Sequence, residues 1–496
     1  MPIGGLDIGT TSCKLSVYDS DGRFITQVYS EYSASRVAGE HELSADSVWA
    51  SVCTVIREVS SKVPDLDSIG VTSFGESFVM LDENDEVLAP AMLYTDPRGG
   101  IQCAELVDRV GKKELGSIVG LSPHQMFSLP KLMWIRDNRS DLYNKAKRIL
   151  LFQDFTVYRL TGVAQIDYSL ASRTMAFDIR ERTWSNTVFE AAGIDRNLFS
   201  TPVASGTLAG KIRPGLASGL GLSPDVLIAS CCHDQVSAAI GAGVFEEGDA
   251  IDGTGTVECI TPVFNSIPDM DILQEGYFAV VPHAVKDKYV SYAFCFTGGA
   301  LLQWYRNQFA RYESSIAKQT GQNVYEMLDQ SIPENPTGIL VLPHFAGSAT
   351  PYMDSGSKGA IIGLTIEHTS ADIYKALMEG VSYEMLLNIE MLNKAGVKIK
   401  RLRATGGGAK SSVWLQLKAD IFGLPIVSLG SSEAGTIGSI MLTGLASGAF
   451  SSLEEAADRL IHEEGTYYPD MKKHAAYMVL FEKYRKIYRA VRPLIS

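Results

Sequence analysis

No stretch of the 496-residue chain approaches the roughly 20 consecutive apolar residues that a bilayer-spanning helix needs. Cysteine is scarce, at 7 in the whole chain, too few for a disulfide scaffold in a protein of this length. Cys231 and Cys232 are adjacent and read, with the rest, as reduced thiols. Positive charge is in deficit. Lys and Arg number 44 against 57 Asp and Glu, a net charge of −13, which argues against nucleic-acid phosphates or an anionic membrane surface as partners. The opening residues, MPIGGLDIGTTSCK, carry Asp7 early and lack the basic and apolar stretches of a secretory signal. These absences predict a cytoplasmic protein.

Several chemical signatures are missing as well. There is no G-x4-G-K-[ST] loop and no complete G-x-G-x-x-G, which counts against a Walker-type NTPase and a Rossmann dinucleotide fold. No HExxH, paired CxxC or G-x-S-x-G occurs. Cys231-Cys232-His233 is a poor metal site, because adjacent ligands rarely converge in tetrahedral geometry.

What is present is ordinary globular composition, 46% apolar and 20% charged, in a chain long enough for about two to four domains. Alternation predicts strands over 14–18 and 24–29 about an Asp21-Gly22 turn, a hairpin over 79–88, and a single strand over 289–296. Short apolar runs predict buried strands over 66–72, 226–231 and 338–342. The 3.6-residue period predicts helices over 44–62, with Ser44 as N-cap, 370–392 and 411–422. A shift to Gly, Glu and Asp over 241–248 marks a domain boundary, giving domains 1–245 and 246–496.

The two halves open alike, with Asp7-Ile8-Gly9-Thr10-Thr11-Ser12 and Asp252-Gly253-Thr254-Gly255-Thr256. A duplicated domain with two phosphate loops would produce this echo, and so would coincidence between common Gly-Thr turns. Successive N–H groups and three hydroxyls over 9–12 suit an anion. Lys14, just beyond, can neutralise phosphate or face solvent. Thr405 to Ser412 contains three consecutive glycines between a strand and a helix, which lets a ligand approach the backbone near a helix N-terminus. Asp234, between a strand and a small-residue helix, suits both an N-cap and a general base. His233 reads as a packed residue.

Taken in order, these motifs resemble the FGGY carbohydrate kinases, which include xylulokinases, glycerol kinases, gluconokinases and ribulokinases. MFSLPKLMWIRDN at 126–138, with its Lys-x-x-Trp core, is similar to the family's first signature, and GAIIGLTIEHTSADIYKALME at 359–379 to the second. Asp167-Tyr-Ser-x-Ala-Ser, His233-Asp-Gln and Gly406-Gly-Gly-Ala complete the match. The resemblance implies an α/β fold of duplicated ribonuclease-H-like (actin/hexokinase-like) domains with an interdomain cleft. It implies that Thr10, Thr11, Ser12 and Lys14 meet the ATP phosphates, and that Thr254, Gly299 and Gln303 continue the nucleotide site. Gly408 and Ser412 fall on the adenosine side. Asp7 and Asp234 are implied as Mg²⁺ holders, partly through water. Asp234 is implied as the base, and Glu76, Asp96, Tyr168, Asp234 and Gln235 as contacts to a small-molecule sugar or polyol. A homodimer is compatible with the resemblance.

The acceptor is read from Ser73-Phe74-Gly75-Glu76, where glycerol kinases carry Asn-Gln-Arg-Glu and xylulokinases Gly-Gln-Met-His. Glu76 fits the former. Gly75 lacks the arginine and is expected to remove donors and open volume, with Phe74 as an apolar wall. Leu93-Tyr94-Thr95-Asp96-Pro97-Arg98 is similar to the xylulokinase Leu-Trp-Asn-Asp-Gly-Arg. The expectation is ATP-dependent phosphorylation of a sugar or polyol, a xylulose-like pentulose being favoured. Glycerol or another short polyol is the alternative, and a non-catalytic sugar or nucleotide sensor is the alternative of a different class.

Overall fold

The alternation at the start of the chain becomes three antiparallel strands, Pro2–Ile8, Ser12–Asp19 and Phe24–Glu31. In the computed structural model, which describes residues 1–431 and 433–495, these strands form one side of a six-stranded sheet. Ser68–Ser73 lies parallel to Pro2–Ile8, Leu227–His233 lies parallel to Ser68–Ser73, and Thr207–Lys211 closes the edge antiparallel. Helix Ala45–Lys62 is capped by Ser44, whose side chain accepts from the Ser47 amide. Its buried stripe of Val48, Val52, Val55, Ile56 and Val59 follows the helical period.

Later strands repeat this pairing. Ala293–Cys295, Glu258–Phe264 and Asp249–Thr254 are successively antiparallel. Arg401–Thr405 and Ile426–Leu429 then add in parallel, and Glu463–Tyr467 closes antiparallel. The echo between the two glycine-threonine turns is therefore a repeat of sheet topology, each turn joining the first two strands of its sheet.

The chain divides into two compact units, the first comprising Met1–Phe245, Ala279–Val290 and Glu433–Ile461. The remaining described residues form the second. The units are thus not the contiguous stretches 1–245 and 246–496. The reason lies in helix Ala434–Ser447, which packs on the first sheet and on helix Asp234–Gly241. A Cβ on Gly438 would stand 1.8 Å from the Ser237 carbonyl oxygen, and one on Gly241 1.9 Å from that of Ala434. Only paired glycines permit so close a crossing. We expect Gly438→Val to cost about 3 kcal/mol, the upper range for overpacking, as measured by chemical denaturation, with a parallel fall in activity because Asp234 heads the displaced helix.

Two predicted elements differ. The strand expected over 289–296 is two, because Tyr289–Val290 pairs with Val281–Pro282 whereas Ala293–Cys295 pairs with Glu258–Phe264. The hairpin expected over 79–88 is present but short: Leu81 and Val87 bridge, the Leu88 amide donates to the Met80 carbonyl and the Asp82 amide to that of Glu86. Strand Phe78–Leu81 pairs in addition with Arg148–Leu151, and Asp82 ends it by accepting from the Asn84 and Glu86 amides. All seven cysteines are free and buried. Among the described residues no helix is long and apolar enough to cross a membrane.

Candidate active site

Strand Leu227–His233 runs directly into helix Asp234–Gly241. Asp234 therefore stands at the carboxyl end of a parallel strand, where open α/β sheets bind ligands. Burial pushes its carboxyl up to about 7, with the Asp7 and Glu76 charges adding to the rise and hydrogen bonds from Gln235 opposing it. A third of the side chain still meets solvent. Its Oδ1 makes no hydrogen bond, and His233 Nε2 lies 3.3 Å from it. His233 is buried, and desolvation, helped by the Arg173 charge, holds its imidazole well below the usual value. The ring is neutral at physiological pH and leaves the Asp234 charge uncompensated.

The Asp167-Tyr-Ser-x-Ala-Ser motif supports this strand end. Asp167 caps helix Tyr168–Ser172, accepting from the Ser169 and Leu170 amides and from the Ser169 and Ser205 hydroxyls. Ser169 Oγ in turn accepts from the His233 amide at 2.8 Å. Tyr168 is half-buried and stacks on Phe177 at 5.6 Å.

Glu76 is 5% exposed and sits at φ 66°. Its Oε1 accepts from Arg173 Nε at 2.6 Å and is also paired with Nη2. Arg173 is the C-cap residue of helix Tyr168–Ser172, and its guanidinium lies 5.1 Å from the Phe127 ring centroid. A Cβ on Gly75 would stand 2.9 Å from Arg173 Cγ. The volume that Gly75 was expected to open is thus filled by Arg173, and the missing guanidinium arrives from another element. Phe74 is not a pocket wall either, since it packs in the core against Phe152, with ring centroids 5.1 Å apart. Tyr94, by contrast, is close enough to Glu76 and Asp234 for both charges to add to the upward shift that burial gives its phenol.

Asp96 is 1% exposed, and its carboxylate is fully engaged. Arg98 donates to both oxygens, at 2.8 and 2.7 Å, and the His41 amide donates at 2.8 Å. Burial opposes ionisation there, but these hydrogen bonds outweigh it and hold the carboxyl below its ordinary value. Asp96 is a loop clamp without a free oxygen for an acceptor. The Lys-x-x-Trp signature supports the clamp. Lys131 is fully buried and donates to the Asp96 and Gln125 carbonyls at 2.8 and 2.9 Å. Trp134 lies under the Arg98 guanidinium at 5.2 Å.

In the Gly9–Ser12 turn, Thr11 is exposed and Thr10 and Ser12 are half-buried. Tyr32, which the sequence did not flag, engages the turn's carbonyls. Its hydroxyl donates to Gly9 O at 2.6 Å and Ser12 O at 2.9 Å, and its amide donates to Thr11 O. Lys14 is half-buried and does not stand alone, because Glu433 pairs with its ammonium group. Burial raises the Asp7 carboxyl, Lys14 lowers it and Glu433 raises it. Asp7, Glu76 and Asp234 thus form a connected set of carboxylates in the first unit.

The nucleotide candidates Thr254, Gly299, Gln303, Gly408 and Ser412 fall in the second unit. A cavity of about 380 Å³ there is lined by Thr256, Gly299, Gln303, Gly408, Ser411 and Trp414, among others. The lining includes Ser411 and not Ser412. Ser411 caps helix Ser412–Phe422 by accepting from the Trp414 amide, and it donates to Asp329 at 2.7 Å. Thr254 is 1% exposed, and its hydroxyl accepts from the buried Lys418 at 2.6 Å. The glycine run is only partly a ligand feature. A Cβ on Gly406 or Gly408 would strike Thr254, at 2.6 and 2.5 Å, whereas Gly407 faces open space.

The chain matches the FGGY family of carbohydrate kinases, N-terminal domain, over residues 2–241 and the C-terminal domain of the same family over residues 256–447. It belongs to that family and is a phosphotransferase acting on a small-molecule sugar or polyol. It is 29% identical to a xylulose kinase of Bacillus subtilis (strain 168) over 99% of this chain and 97% of that one. It is 28% identical to a glycerol kinase of Symbiobacterium thermophilum over 93% and 92%. A ligand-bound xylulose kinase from Lactobacillus acidophilus, 23% identical, has the same fold, with a TM-score of 0.89 over 99% of this chain and 98% of that one. The fold is the two-domain, actin/hexokinase-like one of this family, and kinases of the family use ATP as phosphoryl donor.

Proposed function

We propose that this chain transfers the γ-phosphoryl group of ATP to a hydroxyl of a xylulose-like pentulose. The observation that carries the reading is Asp234, a solvent-reached carboxylate at a strand end with an unpartnered oxygen beside Glu76 and Tyr94. Asp234 accepts the proton of the attacking hydroxyl while that oxygen bonds to the γ-phosphorus and the bond to the β–γ bridging oxygen breaks, releasing ADP. Such a reaction needs positioning and charge neutralisation more than a protein nucleophile. Gln235 orients Asp234, Glu76 accepts from an acceptor hydroxyl, and Tyr168 borders the acceptor. Thr10, Thr11 and Ser12 offer donors to phosphate. The cavity around Gly299, Gln303 and Gly408 takes the nucleoside end.

Among the described residues no group of three or more His, Cys, Asp or Glu is arranged to hold a metal ion. Mg²⁺ asks for less, one or two carboxylates with phosphate and water making up the rest. Asp7, with Asp234 reaching the ion through water and so keeping Oδ1 for the proton, fits that demand. Mg²⁺ bound there would neutralise phosphate charge.

A short polyol is the second reading, favoured by Glu76 being paired with a guanidinium after all. An ADP-release screen over pentuloses, pentoses, polyols, aldonates and glycerol separates the two. We expect the highest kcat/KM for a pentulose. Glycerol as the best acceptor installs the second reading, and no turnover on any acceptor points to a sensor.

A further inference from the structure

We propose that Arg173 is a specificity-determining positioning residue, which acts through Glu76 to set the acceptor-binding geometry. The inference rests on the acceptor site proposed above. Four observations converge on it. First, Glu76 is a carboxylate buried to 5% exposure, and Arg173 supplies its cation with two nitrogens on one oxygen.

Second, both contacts go to Oε1. Oε2 is left to accept from a sugar or polyol hydroxyl, at a position fixed by the guanidinium fork. Third, Glu76 holds a left-handed backbone conformation, φ 66°, that its side chain does not favour. The strain is sustained by its surroundings, because its carbonyl accepts from Ser128 Oγ at 2.6 Å while Arg173 holds the other end. Strain of this kind concentrates at functional sites. Fourth, the Arg173 stem fills the space over Gly75, with Cβ and Cγ at 3.0 and 2.9 Å from where a side chain at 75 would begin. Glycine at 75 and arginine at 173 are two halves of one arrangement, and Phe127 covers the guanidinium face.

A group that acts only by aiming Glu76 changes acceptor binding, spares the nucleotide and loses its effect once Glu76 cannot respond. The test uses the full chain with Arg173→Met, Arg173→Lys, Glu76→Gln and the double variant Glu76→Gln/Arg173→Met. Steady-state kinetics are paired with calorimetric binding of xylulose and of glycerol. Arg173→Met is expected to raise acceptor KM about 10–100-fold, with ATP KM within about twofold of wild type. Arg173→Lys recovers part of the loss, and the double variant is no worse than Glu76→Gln alone. Gly75→Ala, which keeps both charged groups but displaces the Arg173 stem, should resemble Arg173→Met and guards against a folding defect peculiar to that variant.

Unchanged acceptor KM, an equal rise in ATP KM, or effects that multiply in the double variant each overturn the proposal. Binding of either probe without turnover in the wild type overturns the kinase reading alone, since the variants are then compared by affinity. Failure of the wild type to bind either probe overturns this inference.

Discussion

Replacing Asp234 by alanine is expected to lower kcat by about 10²–10⁴-fold, the usual range for loss of a general base, while ATP KM stays near wild type. The acceptor hydroxyl must shed a proton as it attacks, and Asp234 is the carboxylate with an unpartnered oxygen at the strand end. Burial and the charges of Asp7 and Glu76 bring it to about 7. Activity should therefore rise with pH through about 7 as Asp234 ionises and level off above. The same shift bears on stability. A carboxyl raised in the folded state binds its proton more tightly there than in the unfolded chain, so ionisation destabilises the fold as pH climbs from about 4 to about 7. Asp234→Asn removes that penalty, and its melting temperature should exceed that of wild type by more at pH 8 than at pH 5. Solvent reaching a third of the side chain keeps the gain small. A coupled ADP assay and scanning calorimetry check both expectations, and near-normal turnover by the alanine variant would remove Asp234 from the mechanism.

Lys418→Met should produce the largest loss of stability, about 3–5 kcal/mol, the cost of leaving a buried ion cluster without its partner. The ammonium group is 1% exposed as a residue and holds Asp252 at 2.7 Å, Glu258 at 2.9 Å and the Thr254 hydroxyl at 2.6 Å. Burial works against the charge of Lys418, but the two carboxylates outweigh it and raise its pKa, while burial pushes Glu258 up to about 7. The stabilisation from Lys418 is fully present below its ordinary pKa, across the whole physiological range. Without the lysine, Asp252 and Glu258 face each other uncompensated, so the deficit should shrink at acid pH, where Glu258 is protonated. Lys418→Met/Glu258→Gln should recover much of the loss. Thr254, against which the cavity-lining Gly408 packs, loses the donor that fixes its side chain, so on the proposed nucleotide site ATP KM should rise as well. Chemical denaturation at pH 5 and pH 8, with nucleotide kinetics, reads all three effects, and an unaltered melting curve for the single variant would refute the ion-cluster account.

Several site features were legible in sequence because they are local. The Ser44 cap, the turn at Gly9–Ser12 and the strand-to-helix passage at His233-Asp234 involve neighbours along the chain. The engagement of Asp96 was within reach too, since its main partner, Arg98, lies two residues on. The family was legible from motif order, although the first signature works as support, Lys131 and Trp134 holding the Asp96 loop while Ser128 and Phe127 hold Glu76 and Arg173.

Hydrophobic period and turn chemistry thus determined which segments are strands and helices, where the second sheet starts, and which carboxylate heads the key helix, since each depends on residues a few positions apart. Only the tertiary structure decided what fills the space above Gly75, what neutralises Glu76 from 97 residues away, and what binds Thr254 and Asp252 from 164 and 166 residues away. It also decided that helix Ala434–Ser447 belongs with the first sheet. A glycine in sequence reads as missing volume, and an acidic residue reads as open charge. In the folded chain both are completed by long side chains arriving from distant elements, because a buried charge must find its partner wherever the packing of the sheets and helices places one.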